Sequence, residues 1–133
     1  MKKVWLVLLI YISMQGCRDV IDIRSERGKG QRRDYHYAKS VVFKVAKEAL
    51  ISLGFALGEI NESEGFLSGT TPSEGILGFK SGEIVGIWIT GNGPYSQVEI
   101  AWLRRSLLDP AARDWTTQIF KIIDEKLGAL NSK

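Results

Sequence analysis

The sequence is poor in the residues from which disulfides, metal sites and catalytic triads are built. Cys17 is its single cysteine, which excludes an intrachain disulfide, and His36 is its single histidine. Protein zinc sites draw mainly on Cys and His ligands, and a triad needs a nucleophile and an orienting acid beside the histidine. Glu59, Glu62 and Glu64 gather around a predicted turn, but they do not follow the pattern of a calcium loop. We therefore predict no enzyme, no metal site and no cofactor, with His36 at a helix start.

Long apolar runs are also lacking, which bears on how the chain meets a membrane. Residues 4–12 (VWLVLLIYI) form an uncharged run behind Lys2 and Lys3, and Gln15 and Gly16 stop it. A transmembrane helix needs about 20 apolar residues, and an amphipathic core helix would carry polar residues on one face. A basic head, a short apolar run and a small residue at its end are the layout of a secretory signal. We predict a signal peptide over residues 1–16.

The end of this segment, MQGC, resembles the cleavage box of bacterial lipoprotein signal peptides, with Gly16 and Cys17 in its last two places. The resemblance implies a diacylglycerol thioether on Cys17 and cleavage between Gly16 and Cys17. Two or more acyl chains hold a protein stably at a membrane, whereas one chain does so reversibly. A lipid-anchored protein of the cell envelope is expected, with its domain facing the periplasm. Arg18 rather than Asp follows the cysteine, which favours the outer membrane.

The charge of the predicted mature chain is nearly balanced. Removing Lys2 and Lys3 from the 18 basic residues leaves 16, against 15 acidic residues. This balance gives no electrostatic reason to expect a nucleic-acid partner. Residues 17–34 are rich in charge and poor in large apolar side chains, so we predict a flexible tether after the lipidated cysteine. Its arginines and lysine could instead contact anionic lipid headgroups.

A single α+β domain is predicted over residues 35–133. Apolar residues recur at steps of three and four over residues 37–53, which predicts a helix, and Gly54 is placed to cap it. Alternation, β-branched residues and turn signals predict strands over residues 55–61, 66–71, 84–90 and 95–104. Asp109 and Pro110 are suited to begin a closing helix. The order α-β-β-β-β-α predicts an antiparallel sheet of three to four strands with both helices on one face.

This arrangement, with the segment LGFALGEINESEGFLSGT after the first helix, loosely resembles the helix-grip domains of small envelope lipoproteins of the BamC type. The resemblance covers roughly residues 37–130. It implies a scaffold or accessory role and carries no catalytic residues over to this sequence.

The second face of the predicted sheet is the candidate binding surface. In the strand over residues 84–90, Ile84, Gly86 and Trp88 lie on one side and Val85, Ile87 and Ile89 on the other. Two helices cover one face only, and Trp is enriched at binding hot spots. Ile84, Gly86 and Trp88 could therefore receive another envelope protein, unless the loop over residues 75–82 covers them or the two faces are reversed. The alternative function is a carrier that holds a small apolar ligand or lipid between helices and sheet.

Overall fold

The structure is a computed structural model that describes residues 23–71, 83–104 and 114–131. The predicted signal segment, Cys17, the loop over residues 75–82 and the pair Asp109 and Pro110 lie outside the described residues. The described elements are β1 (Gln31–Tyr35), α1 (Lys39–Ser52), β2 (Ala56–Asn61), β3 (Phe66–Thr70), β4 (Glu83–Asn92), β5 (Tyr95–Arg104) and α2 (Trp115–Asn131).

The α+β class and the antiparallel sheet are confirmed, but the predicted strand number is wrong. The sheet has five strands in the order β1-β5-β4-β3-β2. The additional strand is β1, which pairs with β5 from Gln31↔Ile100 to Tyr35↔Ser96. Its sequence QRRDY has four exposed residues and no apolar alternation, so no hydrophobic pattern marks it as a strand. Backbone pairing with β5 forms β1, and such pairing leaves no trace in residue type.

Two contacts from β1 to α2 strengthen this edge of the sheet. The Tyr35 hydroxyl donates to Asp124 Oδ1 at 2.7 Å, and Arg33 forms an ion pair with the same carboxylate. Burial, together with the Asp124 carboxylate, raises the pKa of Tyr35 above its ordinary value of 10.0. The Arg33 guanidinium also lies 4.5 Å from the centroid of the Phe120 ring. The edge strand is therefore held by α2 as well as by β5.

The two helices lie on one face of the sheet, which we call the helix face. One apolar cluster joins them to inward side chains of β4 and β5 such as Ile87 and Ile100. The Phe55 and Trp115 rings meet in a T-shaped contact 4.8 Å apart, and the Tyr37 hydroxyl donates to the Leu127 carbonyl. Because these contacts join opposite ends of α1 and α2, the helices run antiparallel. The predicted assignment of Val85, Ile87 and Ile89 to one side is confirmed, since all three belong to this cluster.

Each helix has a local signal at one of its ends. Gly54 adopts a φ of 85° directly after α1, a conformation that side chains disfavour, and Phe55 N donates to the Leu50 carbonyl across it. α2 begins at Trp115, because the Asp114 carboxylate accepts from Thr117 N at 3.2 Å and from Thr117 Oγ1 at 2.6 Å. These bonds lower the pKa of Asp114 below its ordinary value.

The other face of the sheet is crossed by residues 23–30, which we call the strap, and we call this face the strap face. Ile23 is fully buried there against Phe66, Trp88 and Ala101. The flexible tether predicted for residues 17–34 is therefore wrong for residues 23–34, which form the strap and most of β1. One large apolar side chain and a few polar contacts order this charged segment, and composition alone does not reveal them.

Candidate binding groove on the strap face

The residues predicted as an exposed docking surface are buried. Ile84 is 6% and Trp88 3% exposed, and Gly86 is buried between them. A Cβ atom at Gly86 would lie 2.8 Å from Ile23 Cγ1 and 2.8 Å from Trp88 Cη2, so the strap and the Trp88 ring occupy the space above this glycine. The prediction of an exposed surface here is wrong, because the strap covers it. Cys17 and Gly16 lie outside the described residues.

Arg24 fastens the first part of the strap to the turn between β2 and β3. Its guanidinium lies 2.5 Å from Glu59 Oε1 and 2.9 Å from Glu64 Oε1, and 4.3 Å from the centroid of the Phe66 ring. The hydrogen bonds that Arg24 donates to Glu64 and Glu59 raise its own pKa, and the bond from Arg24 lowers the pKa of Glu64. Two of the three glutamates that gather around this turn are thus paired with the strap.

Glu99 fastens the second part of the strap to β5. Its side chain is buried, and Oε2 accepts from Gly28 N at 2.6 Å and from Gly30 N at 3.0 Å. Arg32 Nε lies 4.0 Å from Oε1, at the outer limit of an ion pair. A buried carboxylate needs such partners, because desolvation without them would be costly. Glu99 therefore supports the course of the strap into β1.

Beyond the strap, the face opens into a groove, which we call the strap-face groove. It consists of two adjoining cavities of about 250 Å³ and about 540 Å³ that share Thr90 and Gln97. Arg27 and Arg32 lie at the end beside the strap. Asp34 and Tyr95 lie at the other end, where the larger cavity extends around the end of the sheet. The groove is thus basic near the strap and mixed polar and aromatic away from it.

The far end of the groove contains several polar groups with spare bonding capacity. Asp34 Oδ1 accepts from Gln97 Nε2 at 3.0 Å, and no described residue donates a side-chain hydrogen bond to the second oxygen of the carboxylate. Tyr95 is 58% exposed and makes a T-shaped contact with His36 at 5.1 Å. Ser96 contributes to the wall of the larger cavity, and its buried Oγ has no hydrogen-bond partner in the described part of the chain.

Sequence reasoning identified neither the strap nor the groove, although one signal for the groove was present. Gln97 and Glu99 alternate with Val98 and Ile100 along β5, so one side of this strand is polar. A polar side of this strand indicates a sheet face that is partly exposed to solvent. Nothing in the sequence indicates that Arg32 and Asp34 lie beside these residues, because β1 pairs with β5 across more than 60 residues of chain.

Tests for other kinds of site concern the described residues only. Within residues 23–71, 83–104 and 114–131, no group of three or more His, Cys, Asp or Glu side chains could hold a metal ion. No helix in those ranges combines the length and the apolar character that crossing a membrane requires. No protein-family model matches the sequence, and no curated protein matches it.

Proposed function

We propose that this protein is an envelope lipoprotein, anchored through acylated Cys17, whose α+β domain is a non-catalytic binding module. The observation that carries the proposal is the position of Cys17 just ahead of the domain. Ile23, the first described residue, is fully buried, and it follows Cys17 by six positions. Cleavage between Gly16 and Cys17 would therefore remove the apolar segment and leave the strap intact.

The short connection has a consequence for where the domain works. An extended chain advances at most about 3.3–3.6 Å per residue, so six positions span at most roughly 20–22 Å. An acylated Cys17 would hold Ile23 within that distance of the lipid headgroups. The strap face, and with it the groove, would stay close to the membrane surface. The domain faces the periplasm in this proposal, and Arg18 after the cysteine favours the outer membrane.

The groove supports a binding role better than the two alternatives considered from sequence. Protein docking on Trp88 loses its basis, because the strap covers Trp88. A carrier of apolar ligands would need an apolar cavity between the layers. The strap-face groove contains Arg27, Arg32 and Asp34 in its walls instead. Its chemistry fits a polar component of the envelope.

The test is the mass of the N-terminal peptide from protein isolated in the membrane fraction. We expect a peptide that begins at Cys17 and carries added acyl mass. The Cys17→Ala variant should keep residues 1–16, and its N-terminal peptide should carry no acyl mass. Ser13→Ala is the matched control, because it changes the same segment outside the MQGC box and should be processed normally.

Two results would overturn the proposal. One is an unmodified Cys17 in wild-type protein with residues 1–16 still attached. The other is equal acyl mass on the N-terminal peptides of the wild type and the Cys17→Ala variant. Separation of the inner and outer membranes before the mass measurement tests the assignment to the outer membrane.

A further inference from the structure

The basic end of the strap-face groove has unused capacity for an anion. Arg27 is exposed, and its guanidinium makes no hydrogen bond or ion pair with the described residues. The nearby Glu64 carboxylate, whose pKa Arg27 also helps to lower, is already bonded to Arg24. Arg32 is about half exposed, and its one ion pair with a described residue is the contact with Glu99 at 4.0 Å. Two guanidinium groups can therefore bind a carboxylate or phosphate that enters the groove.

The middle of the groove is suited to hydroxyl groups. The Asp34 carboxylate and the Gln97 amide are joined by one hydrogen bond of 3.0 Å, and this bond keeps the two groups side by side. The carboxylate accepts hydrogen bonds, whereas the amide both donates and accepts. Neighbouring hydroxyls of a sugar ring donate and accept in the same way. The Thr90 hydroxyl adds a third group that can do both.

The far end of the groove offers an aromatic surface. Tyr95 is 58% exposed, and its ring makes an edge-to-face contact with the ring of His36. The face of an aromatic ring attracts polarised C–H groups because its π-system is electron-rich. A sugar ring presents such C–H groups on one side and hydroxyls around its rim.

We propose that the strap-face groove binds an acidic saccharide. The acidic group lies at Arg27 and Arg32, the ring hydroxyls lie at Asp34 and Gln97, and a ring face lies on Tyr95. The larger cavity, with a volume of about 540 Å³, lies in the range of small-molecule sites. An acidic peptide fits less well, because Asp34 would repel its carboxylates and peptides lack vicinal hydroxyls. The proposal rests on the domain being a binding module, and it names the ligand class.

The experiment is a calorimetric titration of the full chain in detergent micelles with three probes. Tetragalacturonate carries sugar rings and carboxylates, maltotetraose carries rings alone, and tetraglutamate carries carboxylates alone. We expect tetragalacturonate to bind best and tetraglutamate to bind least. Glucuronate and glucose 6-phosphate then distinguish a carboxylate from a phosphate as the acidic group, and preference for either one supports the proposal.

Matched variants assign the binding to the groove. Arg27→Gln should weaken tetragalacturonate binding about tenfold, the loss expected for one charge-assisted hydrogen bond, and should leave maltotetraose binding unchanged. Lys29→Gln removes the same charge from the same turn at a side chain that is 68% exposed and outside the groove, so it should have no effect. Tyr95→Ala should weaken both saccharides, whereas Leu130→Ala, at another exposed apolar residue, should weaken neither.

Three results would overturn the proposal. They are no binding of any saccharide probe, tetraglutamate binding equal to that of tetragalacturonate, and equal losses in Arg27→Gln and Lys29→Gln. These outcomes are independent of the anchoring test. A chain with unmodified Cys17 that still binds tetragalacturonate would refute lipid anchoring and keep the groove, and an acylated chain that binds no saccharide would do the reverse.

Discussion

The helix face and the strap face cover the same sheet by different means. On the helix face, α1 and α2 contribute 14 and 17 residues, and their apolar stripes form one large cluster with the sheet. On the strap face, residues 23–30 contribute one fully buried apolar side chain, Ile23, which completes a small cluster around Trp88. The rest of the strap is fastened by Arg24 and by the acceptor Glu99.

The comparison shows that a sheet face can be closed by a few specific polar contacts as well as by periodic apolar packing. Apolar burial is non-directional, and its stabilising free energy grows with the buried area. Rearrangement of the large helix face therefore costs much free energy. Polar fastening depends on individual atoms, so the strap can be released by single substitutions. Substitutions on each face should therefore differ in their effect on stability.

The largest effect is expected from truncation of the helix-face core. Ile87→Ala should lower the free energy of unfolding by about 2–5 kcal/mol, because a fully buried side chain leaves a cavity that two packed helices cannot fill. Ile23→Ala should cost less, near the lower limit of about 2 kcal/mol, because the strap can move inward. Urea denaturation measures both values. Ile51→Ala, at a residue 54% exposed, is the control and should change stability by less than about 0.5 kcal/mol. A larger loss for Ile23→Ala than for Ile87→Ala would contradict the comparison.

A smaller effect is expected from removal of the Glu99 carboxylate, which accepts hydrogen bonds from the strap. Glu99→Ala deprives Gly28 N and Gly30 N of their hydrogen-bond partner and should cost about 1–3 kcal/mol. The same variant should make Trp88 more accessible to iodide in a chain whose other three tryptophans are changed to Phe. Glu62→Ala, at an exposed glutamate, is the matched control. Unchanged quenching of Trp88 in Glu99→Ala would show that Glu99 does not hold the strap.

Substitution of two buried serines distinguishes a hydroxyl whose hydrogen bond stabilises the fold from a hydroxyl that adds no stability. Ser68 Oγ accepts from Glu59 N at 2.7 Å, so Ser68→Ala should cost about 1 kcal/mol. Ser96 Oγ is equally buried but has no partner among the described residues, so Ser96→Ala should leave stability unchanged or raise it slightly. Thermal denaturation of the two variants measures the difference. Equal losses for both would indicate that the Ser96 hydroxyl has a partner.

The smallest effect is expected from titration of the contact between Arg24 and the β2–β3 turn. Arg24 lowers the pKa of Glu64 below its ordinary value of 4.5, so this contact stabilises the fold above that pH and is lost as the pH falls through the lowered pKa. Glu59 and Arg27 are the other charged groups that face this site. Stability measured from neutral pH downward should fall less steeply in Glu64→Gln than in the wild type. Asp114→Asn is the comparison on the helix side, where the pKa is also lowered. Identical slopes for wild type and Glu64→Gln would contradict the assignment.

Much of the helix face could be predicted because its signals are local. Periodic apolar residues marked α1, and Gly54 marked its end, since a helix repeats every 3.6 residues and a left-handed cap favours glycine. Alternation along β4 separated Val85, Ile87 and Ile89 from Ile84 and Trp88 correctly. The first residue of α2 was harder to predict, because capping residues occur at two places. These are Asp109 with Pro110, and Asp114, and the described helix follows Asp114.

The candidate groove could not be predicted, because its residues meet only through pairing that is distant in sequence. Arg32 and Asp34 come from β1, Thr90 from β4 and Gln97 from β5. The sequence QRRDY is typical of a solvent-exposed segment. Its strand conformation depends on the free edge of β5 rather than on its own side chains. The same holds for Ile23, whose neighbours are charged and whose burial depends on the gap above Gly86.

Residue pattern alone therefore indicated the α+β class, the position of α1, the hairpins and the division of β4 into two faces. Each of these follows from residue spacing or from turn chemistry within a short window. Only the tertiary structure decided that residues 23–34 belong to the domain, that the face around Trp88 is closed and that a polar groove remains open beside the strap. The physical reason is that a backbone ladder, one apolar side chain over a glycine and a carboxylate that accepts from two amides all depend on which distant segments meet.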